Sequence, residues 1–117
     1  MNTTDPHAPL MSGAEFALFR YELGLSLSQV AEFLDVNPRS VRAWNADRDP
    51  VPDGVVLELD DLLHAHELDV EDAVATGVLD IPYGSSEVAW WLSVAAAARR
   101  RDPSLVVKWD FESDSAN

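Results

Sequence analysis

Residues 25–52 read LSLSQVAEFLDVNPRSVRAWNADRDPVP, and this stretch decides how the rest of the chain is arranged. Ser26 is followed three residues later by Gln29, the capping-box spacing in which each side chain satisfies the other residue's backbone N–H, so a helix starts at Ser26. Val30, Ala31, Phe33 and Leu34 supply the inward face of that short helix. Asp35 follows, and Asp tolerates the left-handed backbone of a tight turn. Asn37-Pro38 opens a further helix, because Asn is a strong N-cap and Pro suits the first helical position. This helix runs from about Pro38 to Ala46 with Val41 and Trp44 turned inward, and Asp47-Arg48-Asp49-Pro50 closes it.

The outer face of that later helix carries Arg39, Ser40, Arg42 and Ala43. An arginine offers paired donors to guanine or phosphate, a serine bonds either, and an alanine meets a thymine methyl. No acid lies between Val36 and Ala46, although the chain holds 21 acidic against 8 basic residues, for a net charge of −13. Arg48 lies just beyond, so three of the eight basic residues gather at one place. The acidic total predicts repulsion from a duplex at long range and weak non-specific affinity, which makes the placement of these arginines decisive. Read blandly, the same helix pair is a packing motif with solvated surface charges.

Gln29 at the start of the first of these helices, Ala31 at a close helix crossing, Leu34 and Val36 around the turn, Val41, and the terminal Trp44 form one pattern. With the Asp47-Arg48 turn and the proline beyond it, this pattern resembles the Xre/Cro family of helix-turn-helix proteins. It departs from the family at Asp35, where Gly is usual. The resemblance implies a reader of double-stranded DNA whose contact residues would be Ser28, Gln29, Asn37, Arg39, Ser40, Arg42, Ala43 and Arg48.

Working outward, residues 1–11 contain Pro6 and Pro9 among small polar neighbours and read as a flexible tail. A helix with Phe16, Phe19, Tyr21 and Leu23 follows from Ser12 and ends at Gly24. After the motif, Pro52-Asp53-Gly54 begins a helix with Val55, Val56, Leu59, Leu62 and Leu63 as its apolar stripe. It either continues past His66 or breaks near Leu68 and restarts over Val70–Ala75, and Gly77 ends it. Residues 78–83 read as a short edge strand containing Pro82, residues 86–100 as a helix, and 105–109 as a last strand before an acidic tail at 112–117. The expected division is a helix-turn-helix unit at 12–76 and a small strand-helix-strand region at 77–111.

From Val88 to Ala98 only Ser93 is polar, and a helix apolar nearly all round is buried on more than one side. A homodimer interface built from Trp90, Trp91, Val94, Val107 and Trp109 would cover it, as large aromatics favour such surfaces. The alternative is that strands 78–83 and 105–110 cover it within one subunit. Arg99-Arg100-Arg101 suits a helix C-terminus better than a second phosphate contact. Arg42-Ala43-Trp44-Asn45 running into Val51-Pro52-Asp53-Gly54-Val55, with a weaker echo at Val88-Ala89-Trp90-Trp91-Leu92-Ser93-Val94-Ala95-Ala96, is similar to YdiL-like and anti-CRISPR-associated (Aca) regulators. That resemblance implies a mainly α protein, with a four- to five-helix lambda-repressor-like domain and a small C-terminal dimerisation region. It further implies a homodimeric transcriptional repressor, often of its own operon, on an inverted repeat.

Other chemistries find little support. No cysteine occurs, which excludes disulfides and thiolate sites. His64 and His66 are two apart, so on a helix they cannot grip one metal from one face, and Asp60 with His64 is at most a surface pair. Asp60-Asp61 and Glu67, Asp69, Glu71 and Asp72 read as a solvated acidic face. With no phosphate-binding glycine loop and no nucleophile elbow, the expectation is a non-enzyme without cofactor or metal. No apolar run approaches the roughly 18–20 residues of a membrane span and the N-terminus lacks a signal-peptide pattern, so a cytoplasmic location is expected. The competing class is a protein-interaction module on the same scaffold, an antitoxin or DNA mimic, which the −13 charge would suit.

Overall fold

The computed structural model describes residues 10–112 and is mainly helical, with one small parallel sheet. Four helices come first: α1 (Gly13–Leu23), α2 (Leu27–Leu34), α3 (Pro38–Asn45) and α4 (Asp53–Thr76). Strand β1 (Val78–Pro82), helix α5 (Val88–Arg101) and strand β2 (Val106–Asp110) complete the chain. The strands pair in parallel, Val78 opposite Val106 through Pro82 opposite Asp110, so α5 is the crossover that parallel pairing requires. Among the described residues no helix is long and apolar enough to cross a membrane.

Local chemistry sets most boundaries. Ser12 caps α1 and Ser26 caps α2, each in a reciprocal capping box, with Glu15 and Gln29 respectively. Asp35 ends α2 at φ 54°, in the left-handed region expected of it, and Asn37 caps α3 through a 2.8 Å bond from Arg39 N–H. Helix α4 is unbroken over 24 residues to the left-handed Gly77, which settles the question left open at Leu68.

One core cluster runs through both halves, joining Phe16, Leu23, Val30, Val41 and Leu59 to Trp90, Val94, Ala98 and Leu105. Three expectations are corrected by it. Met11, placed in the N-terminal tail, is buried; residues 1–9 of that tail and 113–117 of the acidic tail lie outside the described residues. Phe33, assigned to the inward face of α2, is exposed, its ring tilted over Trp90 at 6.1 Å. Trp90 and Val94, assigned to an interface between copies, are buried within the chain. The reason is that α5 lies against α4 and α1, which cover the side of α5 carrying both residues.

Two glycines test this packing in opposite directions. Gly24 has φ 71°, and a Cβ there would lie 2.6 Å from Cβ of Ser93 on α5. Gly54, in the first turn of α4, has nothing within 4 Å of an added Cβ. Gly24→Ala is expected to destabilise by about 2 kcal/mol. Gly54→Ala is expected to stabilise by about 0.5–1 kcal/mol. Urea unfolding of the two variants reads both, and a Gly24→Ala variant as stable as the parent would contradict the packing of α1 on α5.

Candidate nucleic-acid interface

Helix α3 is set by its inner residues. Val41 is fully buried, and Trp44 meets Phe16 edge-on with ring centroids 5.9 Å apart. The C-terminal end of α3 is fixed by α1: Gly13 N–H donates to Asp47 Oδ1 at 2.7 Å. A Cβ on Gly13 would lie only 2.7 Å from the Trp44 carbonyl oxygen and 2.8 Å from that of Asn45. The two elements therefore touch backbone to backbone, which only glycine permits.

On the outer side Ser28, Asn37, Arg39, Arg42 and Arg48 are exposed, and Ser40 is half-buried. The ion pairs found among the described residues are Arg101 with Glu67 and Lys108 with Asp80, so none ties up Arg39, Arg42 or Arg48. The guanidinium groups remain available to an incoming acceptor such as phosphate or a guanine edge. Gln29 and Asn37 are partly committed: Gln29 Oε1 accepts from Ser26 N–H and Asn37 Oδ1 from Arg39 N–H, both at 2.8 Å. That leaves the Gln29 amide nitrogen as its outward donor.

Ala43 departs from expectation. It is only 9% exposed, so it does not stand on the outer face. The turn after α3 folds back onto the helix end, with Arg48 N–H (2.9 Å) and Asp49 N–H (3.3 Å) both donating to the Ala43 carbonyl. Arg48 is brought towards α3 by the same turn, which depends on the left-handed Asp47 (φ 60°). Of the expected interface residues in the C-terminal half, Trp91 and Val107 are partly buried against the core, and Trp109 is exposed.

Sequence reasoning missed a polar joint between α1, α4 and α5. His66, considered only as a metal ligand, is buried; its Nε2 lies 2.8 Å from Ser93 Oγ, which donates onward to the Glu22 carbonyl at 2.8 Å. Because the serine hydroxyl gives its hydrogen to Glu22, the neutral imidazole carries its proton on Nε2. Trp90 meets the His66 ring edge-on at 5.1 Å and donates its indole N–H to Asp69 Oδ2 at 2.9 Å. The available signal was spacing: Leu59, His66, Val70 and Ala73 recur at the helical period, which puts His66 on the buried stripe of α4. Among the described residues no group of three His, Cys, Asp or Glu side chains could hold a metal ion.

The chain matches no protein-family model and no curated protein.

Burial holds the His66 pKa below its ordinary value of 6.5, against the opposing pull of Asp69 and Glu67 on α4 and Glu22 on α1. Protonation below about pH 6.5 therefore favours the unfolded chain, and stability is lost as pH falls from there through the folded-state value. His66→Gln is expected to flatten this part of the profile. Urea midpoints at pH 5.5 and 7.5 for both proteins check it, and equal slopes would contradict the joint.

Proposed function

We propose that the protein is a sequence-specific double-stranded DNA-binding regulator, a homodimeric repressor of the Xre/Cro helix-turn-helix type that places α3 in the major groove of each half of an inverted repeat. The observation that carries the reading is the exposed face of α3 bearing Arg39 and Arg42, which make no ion pair among the described residues, between Val36 and Ala46 where no acid occurs, in a chain of net charge −13. A two-helix unit with the later helix open on one face is the form that reads base edges. Ser28, Gln29, Asn37 and Ser40 serve as positioning contacts to phosphate and sugar. Arg39 and Arg42 read base edges and Arg48 adds a phosphate contact, whereas Ala43 has no part because it is buried. The role needs no cofactor and no catalysis, and the expected location is the cytoplasm, with DNA. Dimerisation, as in the YdiL-like and Aca regulators that the chain resembles, would set two copies of α3 about one helical turn apart.

The net charge of −13 favours a second reading, a protein-interaction module such as an antitoxin or DNA mimic on the same scaffold. Such a module has no need of an acid-free arginine helix, and one double variant separates the two. Arg39→Ala with Arg42→Ala is expected to weaken binding to the duplex it recognises by at least about 30-fold at physiological salt, from about 1–3 kcal/mol per contact. Because those two arginines read base edges, the slope of log affinity against log salt should change little, whereas Arg48→Ala should make it shallower by about one. Fluorescence anisotropy over a salt series measures both, and unchanged affinity would move the search to protein partners.

A further inference from the structure

The two-stranded sheet packs against α5 and α4 and leaves one open edge on each strand. Val106 N–H donates to the Gly77 carbonyl at 3.1 Å and Tyr83 N–H to that of Asp110 at 3.0 Å. With the register of Val78 opposite Val106, the backbone groups of Val106, Lys108 and Asp110 face β1. Those of Val107 and Trp109 face the other way. The outer edge of β1 presents Val78, Asp80 and Pro82, and Pro82, with no N–H to give, blocks strand addition there. The edge of β2 carries no proline.

The surroundings of the β2 edge are those of an interface. Tyr83, Trp109 and Phe111 form an exposed aromatic cluster, 46%, 43% and 61% accessible, with Tyr83 centred 5.3 Å from Trp109 and 5.0 Å from Phe111. Beside the strand lies an open basin floored by Leu92, Ala95, Ala96 and Val107 and rimmed by Arg99 and Arg100. We propose that a second copy of this chain adds along this edge, β2 beside β2 in antiparallel sense, to make one sheet in the order β1-β2-β2-β1. This rests on the homodimeric part of the reading above and names its surface.

Two features select a copy of the chain over another extended strand. A two-fold axis through paired copies of one strand makes them antiparallel, so every contact is made twice. Antiparallel pairing also carries the acidic end of β2, Asp110 and Glu112, to the start of β2 in the other copy. Arg99 and Arg100 rim the basin that Val107 of β2 lines, and they are exposed residues with no ion pair among the described residues. The two α5 helices would then flank the axis, and their facing basins would close over Leu92, Ala96 and Val107.

The test uses the full chain without DNA. Sedimentation should give a dimer, and hydrogen exchange followed by NMR should show the Val107 and Trp109 amides exchanging at least about 100-fold more slowly than amides of exposed turns. Val107→Pro, which deletes one outward donor after a residue already extended, should weaken the dimer at least about 10-fold with the helical circular dichroism retained. A monomer, or a dimer in which the Val107 and Trp109 amides exchange as fast as exposed turns, overturns the proposal. If the variant fails to fold, the exchange rates of the unaltered chain still decide. Failure here leaves the α3 reading standing, since that depends on Arg39 and Arg42 binding a half-site.

Discussion

The contact between Gly13 and the C-terminal end of α3 is the constraint on which the rest of the candidate interface depends. With no side chain at Gly13, the first turn of α1 reaches the Trp44 and Asn45 carbonyls, and its N–H binds the Asp47 carboxylate. That bond spans 34 residues of sequence. It holds Asp47 in a left-handed conformation, and the turn that follows bonds the Ala43 carbonyl and returns Arg48 towards α3. Trp44 is trapped between this backbone contact and the ring of Phe16, so α3 cannot rotate about its axis without breaking one of them. Its arginine face is therefore fixed in direction before any partner arrives, which limits the ordering cost of binding.

The same helix α1 is held at its other end by α5. Gly24 sits against Ser93, whose hydroxyl links the His66 ring to the Glu22 carbonyl. The joint is polar but closed: each hydrogen that Ser93, His66 Nε2 and the Trp90 indole can give has an acceptor within the chain. The strand-helix-strand segment is thereby continuous with the helical core and does not hang from it. Residues of α3 thus belong to one core cluster, against which Val107 of β2 packs.

Local features were the legible ones. The capping box of Ser26 with Gln29, the Asn37-Pro38 start and the left-handed Asp35 and Gly77 depend on neighbours within a few residues, and all stand as the sequence implied. What failed depended on distant partners. Ala43 has the spacing of an outward residue but is buried in the fold, and its carbonyl binds the turn that Gly13 anchors. Trp90 and Val94 lie on a helix apolar nearly all round, where composition reports burial without saying which surface supplies it. His66 was weighed as a ligand when its period placed it in the core. The parallel sense of the two strands was not read from sequence at all, because two short apolar runs carry no register of their own.

The central claim is that α3 reads DNA sequence, and the most direct measurement is selection of bound duplexes from a random pool at low and at physiological salt. The account predicts enrichment of one inverted repeat with half-sites about one helical turn apart, retained at physiological salt because base contacts, unlike phosphate contacts alone, discriminate among sequences. A pool that emerges unenriched at both salts would contradict it, and would make the helix pair a scaffold for some other surface of the protein.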